Sequence, residues 1–156
     1  MKKLLLLCIL ISSTYVLFSQ IDTSQMRILI STALVEKDNM IVFYKKNNIP
    51  KVLKKNLSEK FEDNFRIANP NKSYQKTDVN NNFLPSRQML FLIKNNNYYF
   101  FVFRQGGRGL STYFVFSEIF NNSINNMNIF NINNDITTVE DFIQTIKLSK
   151  FYPIKW

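Results

Sequence analysis

The chain has 156 residues, a formal net charge of +9, 15% aromatic residues, a single cysteine (Cys8) and no histidine. These counts exclude zinc sites of the Cys/His type, histidine-based triads and histidine acid–base chemistry, and no cofactor is expected. Lysine outnumbers arginine by 15 to 5, a basic balance that favours anionic partners without identifying one.

The N-terminus reads as a signal for export. Lys2 and Lys3 precede an apolar run from Leu4 to Ile11, which Ser12, Ser13 and Thr14 interrupt before Tyr15 to Phe18. A short basic segment, an apolar stretch of this length and a small residue at Ser19 define a cleavable signal peptide over residues 1–19. The run is too short and too broken to match the ~20 apolar residues of a membrane-crossing helix. Leu7 is too large for the position before a lipidated Cys8. Cleavage removes Cys8, Lys2 and Lys3, leaving one domain over 20–156 with net charge +7 and no possible disulfide. The expected location is therefore the periplasm or the exterior, with no transmembrane span in the mature chain.

Residues 24–36 form a first predicted helix, with Met26, Ile28, Leu29, Ala33 and Leu34 apolar, and Met40 to Tyr44 is a short β-rich segment. A second helix is predicted over 50–65, where Leu53, Leu57, Phe61 and Phe65 recur every four residues as one stripe. Pro50 suits its first turn, and Lys55 and Glu59 stand four apart on its wet side. Residues 66–87 read as irregular.

Three aromatic and β-branched runs follow, Met89 to Ile93, Tyr98 to Phe103 and Thr112 to Phe116. Asn95 to Asn97 and Gln105 to Gly109 join them in turn, which predicts an antiparallel meander. Met127 to Ile132 adds a fourth strand. These runs are continuous in hydrophobicity and do not alternate, so both sheet faces should be covered. Thr137-x-x-Glu140 reads as a capping box opening a C-terminal helix with Val139, Phe142, Ile143 and Ile146 on one face. The expected class is α+β: a three- to four-stranded antiparallel sheet over about 88–132, with N-terminal helices and a C-terminal helix packed on it.

Two basic features stand out as candidate sites. All three glycines fall within Gly106, Gly107 and Gly109, flanked by Arg104 and Arg108. Such a segment can present N–H groups and guanidiniums to an anion, or it can be a hairpin turn whose backbone demands glycine. Lys45, Lys46, Lys51, Lys54 and Lys55 form a lysine-rich surface, read either as an anionic-surface contact or as a solvated helix face. The aromatic residues of the strands read as core before they read as a stacking platform, and no nucleic-acid partner is expected.

The carboxylate clusters Glu59/Glu62/Asp63 and Glu140/Asp141 have structural explanations, which leaves Glu118 at a strand end as the acid without one. The leading expectation is a non-catalytic exported binding protein whose partner is an envelope protein or an anionic surface. A carboxylate-dependent polysaccharide hydrolase and an inhibitor of an exported enzyme are the alternatives.

Overall fold

The computed structural model describes residues 23–35, 39–77, 83–107, 109–148 and 151–154. The signal reading on 1–19 and the candidate Arg108 lie outside the described residues. Among the described residues no helix is long and apolar enough to cross a membrane.

Seven strands and three α-helices are described, in the order α1 (Thr23–Val35), β1 (Met40–Phe43), α2 (Lys51–Lys60), β2 (Ile67–Ala68), β3 (Arg87–Asn95), β4 (Tyr98–Gln105), β5 (Ser111–Phe120), β6 (Ser123–Ile132), α3 (Val139–Lys147) and β7 (Phe151–Pro153). All seven strands join one sheet, ordered β1-β3-β4-β5-β6-β7, with β2 also paired to β3. The class is α+β, as expected.

The predicted meander is the centre of this sheet and undercounts it. β1 adds antiparallel to Leu92–Asn95 at one edge, and β7 adds antiparallel to Phe130–Ile132 at the other. β2, inside the segment expected to be irregular, pairs in parallel with Arg87 and Gln88. Two- to four-residue strands carry too little periodicity to announce a pairing whose partners lie far along the chain.

The turns follow from asparagine. Asn96 (φ 52°) closes the β3–β4 hairpin, and Asn121 and Asn122 (φ 48° and 59°) close β5–β6 with the two positive-φ residues of a type I′ turn. Asn95, expected in the connection, instead ends β3 and is buried, and its Nδ2 donates to the Ala33 carbonyl at 2.6 Å near the end of α1.

Both faces are covered, as the unbroken hydrophobicity of the strands required. One face carries Phe91, Ile93, Phe100, Val102, Phe114, Phe116, Phe130 and Ile132 under α1 (Met26, Ile30, Ala33, Leu34) and α3 (Val139, Phe142, Ile146). The opposite face carries Met89, Leu92, Phe101, Phe103, Val115 and Ile129 under Leu53 and Leu57 of α2 with Phe65 and Ile67. A bulge between Met89 and Phe91 places Leu90 and Phe91 consecutively on the first face. The aromatic rings are core: Phe142 meets Phe91, Phe100 and Phe114 at centroid distances of 5.9, 6.3 and 5.3 Å, and Phe114 stacks on Phe130 at 4.6 Å. Each fully buried phenylalanine contributes about 1.5–3 kcal/mol, so packing stabilises this fold without a disulfide.

Two helix readings are corrected. α2 stops at Lys60, well before Phe65. Glu62 turns left-handed (φ 51°), its N–H donates to the Glu59 carbonyl, and the Asp63 N–H donates to the Ser58 carbonyl. This closes the helix in a Schellman motif. Phe61 and Phe65 therefore reach the Phe103 ring from a reversing loop instead of a helical stripe. At α3 the cap is Thr138, one residue later than predicted: Thr138 Oγ1 accepts from the Asp141 N–H, and Asp141 Oδ2 accepts from the Thr138 N–H.

Candidate functional site: a basic pocket beside the second helix

A tight 3-10 turn, Lys46–Asn48, leads from β1 toward α2. It is closed by Asn48 N–H to Lys45 O (3.0 Å) and pinned from outside, because the Lys46 N–H donates to Asn69 Oδ1 at 2.8 Å. α2 begins after Pro50 with no side-chain cap and no acid in its first turn, so its N-terminal dipole adds positive potential to this end of the protein. Leu53 and Leu57 hold the helix against the sheet and leave Lys54 outward. Beyond the Schellman turn, buried Phe65 anchors the chain so that Asn64 and Arg66 flank it on the surface. Arg66 Nη2 donates to the Phe83 carbonyl at 2.9 Å.

These segments enclose a pocket of about 260 Å³ lined by Lys46, Asn47, Ile49, Lys54, Asn64, Arg66, Ile67 and Pro85. Among the described residues three cations and two carboxamides surround it, none of the lining residues is a carboxylate, and Ile49, Ile67 and Pro85 make an apolar wall. Like charges gathered around one cavity repel each other, and an anion within it relieves that repulsion.

Of the lysines singled out in the sequence, Lys46 and Lys54 line this pocket, whereas exposed Lys45, Lys51 and Lys55 do not. Lys55 instead lies 4.0 Å from Glu59, an exposed pair of small energetic weight. Arg66, Asn64 and Asn47 are the lining residues that sequence reading missed. Nothing in Asn64-Phe65-Arg66 signals a site until the reversal after α2 turns it back toward Lys46.

The glycine segment lies elsewhere. The Gly106 N–H donates to the Ser86 carbonyl at 3.0 Å, and a Cβ at Gly106 would fall 1.9 Å from the Gln75 carbonyl oxygen. Gly107 has φ 143°, whereas the space around a Cβ on Gly109 is open. Glycine is thus required at 106 by close approach and at 107 by backbone conformation. Arg104 Nη2 donates to Asp135 Oδ1 (2.5 Å) and to the Ile136 carbonyl (2.9 Å). Nearby, burial pushes the Tyr74 phenol up; Arg104 works against that shift and Asp135 with it.

The carboxylates are dispersed, and among the described residues no three acids, histidines or cysteines gather as metal ligands. Asp63 pairs with Arg87, Asp135 with Arg104, and Asp141 caps α3. Glu118 is half-buried on β5, opposite Tyr98 on one side and Asn126 on the other.

No family model, no curated protein and no solved structure matches this chain.

Proposed function

We propose that this chain is an exported, non-catalytic binding protein of the cell envelope that takes an anionic group of its partner into the pocket of Lys46, Lys54 and Arg66. The observation that carries the reading is the convergence of three cations and two carboxamides on one cavity with no carboxylate among its described lining residues. An arginine and two lysines supply charge-assisted hydrogen bonds, the Asn47 and Asn64 amides add neutral donors, and the apolar wall excludes water from one side. Exposed Lys45, Lys51 and Lys55 extend the positive potential around the rim and favour encounter with an anionic surface. Asp63 and Asp135 are engaged in ion pairs and Asp141 in a helix cap, which favours binding over catalysis.

The test is calorimetric titration of the protein with inorganic phosphate, and separately with vesicles of phosphatidylglycerol and of phosphatidylcholine. Binding should weaken in Lys54→Ala and Arg66→Ala, exposed positions whose loss leaves the core intact, and should fall with added salt. Equal binding by the wild type and by the Lys46→Ala/Lys54→Ala/Arg66→Ala triple variant would overturn the reading.

A further inference from the structure

A second cavity, of about 330 Å³, opens where β5 starts and β6 ends, lined by Leu110, Ser111, Thr112, Asn131, Ile132, Asn133, Asn134 and Asp135. Its chemistry is opposite to that of the basic pocket. Two hydroxyls and three carboxamides offer donors and acceptors together, and no lysine or arginine is among the described lining residues. The one carboxylate among its described lining residues is already neutralised, because Arg104 Nη2 donates to Asp135 Oδ1 at 2.5 Å.

That ion pair decides the kind of ligand. A free carboxylate beside asparagine oxygens would suit a hard cation, but a guanidinium bonded to the carboxylate competes with any metal for it. An anion would find no free cation among the described lining residues, because the nearby Arg104 is already held by Asp135. What remains is a neutral ligand rich in hydroxyls, which can donate to Asp135 and both donate to and accept from carboxamides. Exposed Leu110 supplies apolar surface for the C–H face of a ring. The volume lies at the small end of ligand pockets, about 300–1,000 Å³, which suits one ring and not an extended chain.

We propose that this cavity is a carbohydrate subsite that takes a single neutral sugar ring, with Asp135 as acceptor, Asn131 and Asn133 as two-way partners, and Arg104 as the positioning residue that fixes the Asp135 carboxylate. The glycine segment then has a part in the site: Gly106 brings β4 close to the Gln75 backbone, and Arg104 leaves the same strand end toward Asp135.

The experiment is an NMR titration of the isotope-labelled protein with glucose, galactose, mannose and N-acetylglucosamine at millimolar concentrations. At least one sugar should shift the Asn131, Asn133 and Asn134 side-chain amides and the Ser111 amide together, leaving the Arg66 and Asn64 signals in place. Asn133→Ala, at an exposed position, and Asp135→Asn should each weaken that binding roughly tenfold, the loss of one hydrogen bond to a bound ligand. Arg104→Gln should weaken it while the amide spectrum stays folded. The proposal is overturned if none of the four sugars shifts these signals, if the shifts spread evenly over the surface, or if calcium chloride alone reproduces them.

Discussion

The guanidinium of Arg87 and the carboxylate of Asp63 meet at 2.7 Å, Nη1 to Oδ2, and join the start of β3 to the loop that closes α2. Arg87 is 3% exposed, its Nε donates to Gln105 Oε1 at 3.1 Å, and its guanidinium carbon lies 4.4 Å from the Phe61 ring centroid and 4.7 Å from that of Phe65. A buried cation is tolerated here because hydrogen bonds and two aromatic faces replace its water.

Removing only the acid leaves that cation poorly compensated. Asp63→Asn should cost about 1–3 kcal/mol in urea unfolding, moderated because the Asp63 side chain is 40% exposed. Arg87→Met keeps the packing under Phe61 and Phe65 and removes the charge. In the double variant the two losses should therefore sum to less than the single losses added together, a coupling that a double-mutant cycle measures.

Asp141 is held down to about 2 from its ordinary 3.8, first by the Thr137 hydroxyl and then by the Thr137 and Thr138 backbone N–H groups. A carboxylate depressed in the folded state stabilises above its unfolded pKa, and the contribution is lost as pH falls through the folded value. The expected outcome is a loss of stability between about pH 4 and pH 2 that Asp141→Asn flattens, read from thermal melts across that window and from direct NMR titration of the carboxyl.

Gly106 and Gly109 sit three residues apart in the same connection yet should respond oppositely to alanine. At Gly106 the added methyl would meet the Gln75 carbonyl oxygen at 1.9 Å and the Lys76 Cα at 2.8 Å, both backbone atoms, so Gly106→Ala should cost about 2–3 kcal/mol or more. At Gly109 a Cβ has nothing within 4 Å, and Gly109→Ala should leave stability unchanged or raise it by up to about 1 kcal/mol. Chemical denaturation of the two variants checks the contrast.

If Lys46, Lys54 and Arg66 repel each other around an open pocket, neutralising one of them relieves that strain. Lys54→Gln should raise stability at low salt by a few tenths of a kcal/mol, and the gain should fade as salt screens the remaining charges. Inorganic phosphate should stabilise the wild type more than this variant, because a ligand's stabilisation grows with the logarithm of its concentration over its dissociation constant, and the variant's binding is weaker. Thermal melts with and without phosphate, at low and high salt, give both comparisons.

Much of the candidate chemistry stayed hidden because it depends on residues far apart in the chain. Lys46 and Arg66 are brought to one pocket by the Schellman turn at Glu62, and that turn is formed by a non-glycine residue in left-handed backbone, where no local signal marks it. The pairing of Asp135 with Arg104 has no local signal for a similar reason: β5 and β6 lie between the two residues in the chain, and only the sheet closes the gap. By contrast, the asparagine turns, the stripe of Leu53 and Leu57 and the capping threonines act within a few residues of themselves. Those were legible, to within one residue at Thr138.

The amino-acid sequence by itself determined the α+β class, the central strands, the three helices and the burial of both sheet faces, because hydrophobic period and turn chemistry are local properties. The tertiary structure alone decided that β1, β2 and β7 complete a seven-stranded sheet, and which charged side chains meet. Edge pairing and charge proximity depend on how the layers pack, and short strands and isolated cations carry no periodic signal of their partners.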